Sequence, residues 1–471
     1  MRIIIKSMKP ALCILPALAL GACSLAPKYV APGQPVPASW PAGDAYLAQS
    51  EAGLPLVSYR DIFTDLRLQT LIEQALLNNR DLRVAAANVA AARAQLTVTR
   101  ANQFPALSVS GTATRSETGG VTSGDGWSYS AQGGISSFEL DLFGKLRNAT
   151  EAQRNTALST EASARTVRLS LVANLAQAWA AYAADKDLLA IAQSTVANAE
   201  DSVRLTTARL KGGIAPRTDL SQSQQVLETA RGDVASQTTA LAQDVNAIRL
   251  LVGADFDPSL LPGGMDEVNK GLAVLPAGTR SEVLLRRPDV VSAEYDLRAA
   301  NADIGVARAE LFPSISLTGL LGFASDALSS LFDHGSFTTT ASGTASWSIF
   351  NAGGKAANVK VAKAQRDAAL ATYEKTIQTA FSEVADALAD QGTLTERLRA
   401  ASAYTAAAQD TARLTEATYK QGIASSLDNL DAQRSLYTAR KAEVAVHLQA
   451  ATNRITLYRV LGGDQATARQ E

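Results

Sequence analysis

The chain is written twice. Arg80-Asp81 opens a stretch that closes at Phe104-Pro105, and Pro288-Asp289 opens one that closes at Phe312-Pro313. Gly144-Lys145 returns as Gly354-Lys355, Gly213-Ile214-Ala215 as Gly422-Ile423-Ala424, and Leu251-Val252-Gly253 as Val460-Leu461-Gly462. The shift between partners stays within 208 to 210 residues. A near-constant shift of that size marks one large unit duplicated, not an array of short repeats. Any fold must therefore be buildable from two similar halves, placed at 59–253 and 280–462, with a linker at 254–279 and a tail at 463–471.

The N-terminus bounds the compartment. Arg2, Lys6 and Lys9 precede an apolar run from Ala11 to Leu20. That is a secretory signal over 1–22, too short to be a spanning helix. Leu20-Gly21-Ala22-Cys23 reads as a bacterial lipobox, with small residues for a signal peptidase and a thiol at Cys23 that accepts diacylglycerol and an acyl chain such as palmitate. The alternative is an ordinary signal with a coincidental cysteine. Ser24, in place of Asp, leaves out the inner-membrane retention signal, so delivery to the outer membrane is expected. Cys13 lies inside the signal, so the mature chain has no internal disulfide and relies on packing. Loss of the three basic residues takes the net charge from −1 to −4, which gives no basic bias toward nucleic acid. Five prolines between Pro27 and Pro41 mark segment 23–58 as a tether rather than a domain.

Each copy reads as helix, strand, strand, very long helix, short tip, long helix. No glycine or proline falls between Gly144 and Gly212, and the copy from Gly354 to Gly422 holds only Gly392. A helix of that span would be roughly 100 Å long, far beyond a globular helix. Steps of four and three from Leu171 give Leu175, Ala178, Tyr182, Asp185, Leu189, Ala192, Val196, Ala199, Val203, Thr206 and Leu210. This is an alanine-rich heptad seam in which only Asp185 is charged. Periodicity does not separate a solid bundle from a hollow helical tube.

The strands say more. Ser108, Ser110, Thr112 and Thr114 alternate with Leu107, Val109, Gly111 and Ala113, and Ser128, Ser130, Gln132 and Ser136 with Trp127, Tyr129, Ala131 and Ile135. The second copy repeats this from Ser314 to Phe323 and from Thr338 to Ile349. Segments of about ten residues, hydroxyl-rich on one face and apolar on the other, fit a membrane barrel with a wet lumen. Four strands cannot close such a barrel, and lipid does not tolerate open edges. The barrel must be shared between chains. Two chains would give eight strands around a filled interior and three would give twelve around a lumen, so a trimer is favoured only if the object is a conduit.

The stretch Arg286-Arg287-Pro288-Asp289, with Ala293-Glu294, Ala299-Ala300, Ile304-Gly305 and Phe312-Pro313, resembles the hallmark of TolC/OprM-type outer membrane factors, and the lipobox is similar to the NodT lipoprotein branch. Tyr419-Lys420-Gln421-Gly422-Ile423 and Leu430-Asp431-Ala432-Gln433-Arg434-Ser435 add to the likeness. The resemblance implies a membrane α+β protein: a duplicated protomer of coiled-coil helices plus four transmembrane strands, assembling as a homotrimer with a 12-strand β-barrel on an α-helical barrel. It implies a lipid-anchored exit duct in the outer membrane with helices in the periplasm, and as partners a periplasmic adaptor and an inner-membrane pump of the RND type.

Asp428, Asp431 and Arg434 are spaced by three and share a helix face after the second tip. Three chains would gather six carboxylates there, a ring that attracts cations and raises carboxylate pKa values by repulsion. The plainer role is capping by Ser425 or Ser426 with an acidic first turn. Asp428 corresponds to Asp219, Asp431 to Gln222 and Arg434 to Gln225, so the shared aspartates suit capping and the unshared pair suits a gate. The resemblance assigns Asp428 and Asp431 to the closed periplasmic entrance, Arg434 to a gate position of the OprM branch, and Thr218, Asp219 and Tyr419 to a latch between coils. Ala424 stands where TolC carries a further latch arginine. The tips, with Gly212, Gly213, Ile214, Gly422 and Ile423, are helix-hairpin turns and the candidate docking points for the adaptor. With only His334 and His447, and no Walker loop, GxSxG or His/Cys cluster, neither a metal site nor an enzyme is expected. The reading from another class is a coiled-coil lipoprotein scaffold without a pore.

Overall fold

The computed structural model describes residues 24–41, 43, 45–46, 58–116, 126–273 and 281–463. The expected signal peptide, Cys23 and most of the C-terminal tail lie outside the described residues. The first copy runs α1 (Tyr59–Ile62), α2 (Leu66–Asn78), α3 (Arg80–Ala101), β1 (Leu107–Ser116), β2 (Gly126–Glu139), α4 (Lys145–Lys211) and α5 (Arg217–Val252). After the short α6 (Met265–Lys270), the second runs α7 (Pro288–Ala309), β3 (Ser314–Ser325), β4 (Phe337–Ser346), α8 (Gly354–Lys420) and α9 (Ser426–Val460). From α3 and α7 onward the duplication is kept element by element, whereas Ser281–Arg286, opposite the end of α2, is a short 3-10 helix. α4 and α8 each span 67 residues, as expected of segments almost free of helix breakers.

The chain divides into two compact units, and both copies contribute to each. One comprises Met1–Gly33, Asn88–Glu161 and Ser292–Glu374, and the other Gln34–Ala87, Ala162–Val291 and Lys375–Glu471.

The first unit holds an antiparallel sheet in the order β1-β2-β3-β4. β1 and β4 are its edges. Every residue of β1 is exposed, with Leu107 and Val109 at 82% and 90%. Glycine permits the closest approach between strands. A Cβ on Gly134, at φ +148, would stand 2.2 Å from the carbonyl oxygen of Gly319. The alternation of the last strand continues to Ile349, but pairing stops at Ser346, where Trp347 turns to donate its indole N–H to the carbonyl of Leu311 at 3.0 Å.

The core of the second unit is a band in which α4 is buried nearly all round. Val172, Ala173, Leu175, Ala176, Trp179, Ala180, Ala183 and Ala184 are each at most 2% exposed. One heptad seam describes α4 only beyond this band, because here several elements cover the helix together. Trp179 donates to the carbonyl of Leu260 at 3.0 Å, and Phe63 meets Tyr458 edge-on at 5.2 Å. Nor is segment 23–58 a plain tether over its described part. Trp40 is 4% exposed and stacks on Phe381, and residues 24–29 make a series of hydrogen bonds within the first unit.

Among the described residues no helix is long and apolar enough to cross a membrane. That statement does not concern the strands.

Candidate functional site

The two hairpin tips lie in the second unit and are built alike. Each long helix ends when a glycine takes a left-handed conformation, Gly213 at φ +71 and Gly422 at φ +80. The next residue then bonds back five positions, Ile214 N–H to the carbonyl of Arg209 at 3.0 Å and Ile423 N–H to that of Thr418 at 2.9 Å. This closure satisfies carbonyls that the helix end leaves open. It also throws the isoleucine outward, with Ile214 77% and Ile423 75% exposed. Gly212 continues the first turn through its N–H to the carbonyl of Ala208 at 3.0 Å.

The return helices start differently. Ser425 caps α9 in a reciprocal box: the Asp428 N–H donates to Ser425 Oγ at 3.1 Å, and the Ser425 N–H donates to Asp428 Oδ2 at 3.2 Å. The Ser425 hydroxyl and N–H hold the Asp428 carboxyl below the usual carboxylate range. At α5 the capping position is Pro216, which has no side-chain oxygen, so Asp219 has no such box to complete. One turn into α9, Arg434 Nη2 donates to Asp431 Oδ1 at 3.0 Å, and both side chains are largely exposed. Arg434 also borders a cleft of about 280 Å³ between α5 and α9, whose wall includes Gln222, Gln225, Leu430 and Tyr437. Arg434 thus shares a cleft with Gln222 and Gln225, the first-copy counterparts of Asp431 and Arg434.

The joint between the hairpins centres on Tyr419, which is 4% exposed. Its hydroxyl lies 3.4 Å from Thr206 Oγ1, which in turn lies 3.5 Å from Ser223 Oγ. The Arg209 guanidinium sits 4.3 Å over the Tyr419 ring and donates to its carbonyl at 2.8 Å. Thr218 and Asp219 lie outside this cluster: Thr218 is exposed, and Asp219 supplies its carbonyl to Ser223 Oγ. A second joint lies farther along, where the Tyr437 hydroxyl donates to Asp233 and Lys441 Nζ stands 3.6 Å from the same carboxylate. Burial, then Asp233, pushes the Tyr437 hydroxyl up from its ordinary value.

Sequence reasoning missed Arg209, Ser223, Asp233 and Tyr437 as joint residues. For Thr206 the signal was present, since it and Asp185 are the polar interruptions of an otherwise apolar seam. Asp185 on α4 and Asp244 on α5 bring two carboxyls together. Burial, then the Asp185 charge, pushes Asp244 up to about 6.

Among the described residues no group of three or more His, Cys, Asp or Glu is placed to hold a metal. The family model described as "Outer membrane efflux protein" matches residues 71–254 and again 279–463, one match in each copy. The chain is 42% identical to the antibiotic efflux pump outer membrane protein ArpC of Pseudomonas putida, over 95% of this chain and 94% of that one. It is 38% identical to the cation efflux system protein CusC of Escherichia coli, over 95% and 97%. Among solved structures it is similar to CusC, with a TM-score of 0.84 at 38% identity over 94% of this chain and all of that one. It is also similar to the open state of the Neisseria gonorrhoeae MtrE outer membrane channel, with a TM-score of 0.83 at 33% identity over 94% and 98%.

Proposed function

Since the chain belongs to the outer membrane efflux protein family, we propose that it forms a passive exit duct in the outer membrane. The observation that carries this is the four-stranded sheet with two open edges and exposed apolar side chains, continuous in sequence with 67-residue helices. In lipid those edges must pair, and pairing with further copies closes the barrel. Three copies give twelve strands around a lumen, carried on a tube of helical hairpins in the periplasm. The duct is a conduit and not a catalyst. Relatives of similar identity are named for antibiotics, toluene and cations. A Ser/Thr-rich duct common to such cargoes leaves selection to an inner-membrane pump of the RND type.

The entrance closes where the second copy carries Asp428, Asp431 and Arg434, and the joint at Tyr419 ties that hairpin to the first. In this reading Thr218 and Asp219 latch onto a neighbouring protomer. A periplasmic adaptor docks on the exposed tips at Gly212, Gly213, Ile214, Gly422 and Ile423 and favours the open arrangement, a shift that requires tighter contacts in that state. Acyl chains on Cys23 anchor the duct from the side.

Planar-bilayer recording tests the duct. The purified protein is expected to migrate as a heat-labile trimer and to form cation-preferring pores; a monomer without conductance would remove the proposal. Asp431→Ala and Arg434→Ala are each expected to raise conductance or shift ion selectivity, and no change in either would remove the gate. Ile214→Asp with Ile423→Asp is expected to abolish adaptor capture while leaving pores intact.

A further inference from the structure

Segment 24–30 lies along α7 and is held at Ser24, Leu25, Pro27 and Tyr29. Asn148 Oδ1 accepts from Ser24 Oγ at 2.8 Å. Arg308 Nη1 donates to the carbonyl of Leu25 at 2.9 Å, and Asn301 Nδ2 to that of Pro27 at 2.8 Å. The Tyr29 hydroxyl donates to Glu294 Oε1 at 3.3 Å, and the Arg298 guanidinium, paired with Glu294 at 2.6 Å, covers the Tyr29 ring at 4.9 Å. Glu294, Arg298, Asn301, Gly305 and Arg308 follow steps of four, three, four and three, so they form one stripe along the helix. The strap climbs as the stripe descends.

Gly305 makes room for it. A Cβ there would stand 2.8 Å from the Ala26 methyl and 2.4 Å from Asn148 Nδ2. In the first copy the corresponding positions on α3 are Ala86, Ala90, Arg93, Thr97 and Arg100, which lack the glycine, the carboxylate and the amide. Only one copy carries this stripe, so it is not a by-product of the duplicated fold.

We infer that the α7 stripe is a receptor for the chain's own segment 24–30, and that it fixes the point from which the acyl anchor leaves the protein. Ser24 is held by Asn148, in the first turn of α4 beyond β2, and Leu25 by Arg308, in the last turn of α7 ahead of β3. The residue after the acylated cysteine is therefore clamped beside the base of the sheet. This inference rests on the lipidation reading for its purpose, but not for its test.

Trypsin cleavage after Lys28, an exposed residue within the strap, reads docking in the purified, detergent-solubilised full chain. Gly305→Leu is expected to speed cleavage at least about tenfold, as befits the loss of several hydrogen bonds. Asn301→Ala combined with Arg308→Ala, which leaves the buried glycine untouched, is expected to speed it severalfold and covers the case in which Gly305→Leu does not fold. Thr97→Leu, at the matching place in the first copy, is expected to change nothing. Equal cleavage in wild type and in the Asn301/Arg308 variant, or equal acceleration by Thr97→Leu, would overturn the receptor. Labelling with radioactive palmitate, lost in Cys23→Ser, judges the lipidation reading separately: an unlabelled wild type with a protected Lys28 would overturn the anchoring purpose and keep the docked strap.

Discussion

In the first copy Asn79 donates its side-chain amide to the carbonyl of Leu251 at 2.8 Å; in the second, Arg287 donates to the carbonyl of Val460 at 3.1 Å. The two carbonyls are equivalent positions, each at the end of the return helix. The donors are equivalent too, and the first copy makes the tie with a neutral group and the second with a cation. The surroundings change with them. Arg287 is 9% exposed and pairs with Asp289 at 2.7 Å and Glu383 at 2.8 Å, whereas the counterpart of Glu383 is Asn174. Deeper along the hairpins it is the first copy that carries the charge and the second that is neutral. The first copy sets Asp244 against Asp185, while Asn453, the counterpart of Asp244, donates its amide to the carbonyl of Ala387 at 2.8 Å. A duplicated fold therefore keeps its joints in place and exchanges their chemistry: the buried Arg287 brings two carboxylates along, and the Asp244 carboxyl beside Asp185 is held toward its protonated form.

This contrast can be broken most severely at Arg287. Arg287→Ala strands two carboxylates and is expected to cost on the order of 3 kcal/mol, against about 1 kcal/mol for Asn79→Ala, read as loss of thermal stability by circular dichroism. Similar losses in both would show that the ion pairs add nothing to the tie.

Asp244→Asn makes the first copy resemble the second. The folded-state value of Asp244, about 6, lies above the ordinary 3.8 of an unfolded chain, so the protonated form suits the fold. Its stabilising contribution is complete below the unfolded value and is lost as pH rises through about 6. Wild type should lose on the order of 1 kcal/mol across that window, discounted for partial exposure, and Asp244→Asn should flatten the slope. An unchanged slope in Asp244→Asn would dismiss the carboxyl pair as its source.

The cap gives a smaller effect. Ser425→Ala is expected to destabilise α9 by about 1 kcal/mol, and Pro216→Ser, which would let Asp219 complete a box, to stabilise α5 by several tenths of that. Hydrogen exchange at the first turns of the two helices decides. Asp431→Gln with Arg434→Gln, which imposes the first copy's uncharged chemistry, should leave thermal stability unchanged because both side chains are exposed. Its effect should appear in channel conductance or ion selectivity instead.

Much of this was legible before any coordinates. The glycine at each tip, the uninterrupted α4 and α8, and the four strands follow from local signals that each copy states independently. The polar interruptions of the α4 seam, Asp185 and Thr206, pointed to interhelical contacts without naming their partners. Tyr437 with Asp233, and Arg209 with Tyr419, are some 200 residues apart in sequence, and no local pattern pairs them. The same limit applied to segment 23–58. Its prolines announce an extended chain, yet extension does not exclude docking when another element supplies the hydrogen-bond partners.

The sequence by itself determined the duplication, the element order, the strand alternation and hence the need for further copies, because those depend on backbone preference and on periodicity along the chain. Only the tertiary structure decided which side chains join the hairpins, that Asp428 caps while Asp219 does not, and that α7 carries a strap. Those depend on which surfaces meet in space, where a shift of one helical position exchanges one partner for another.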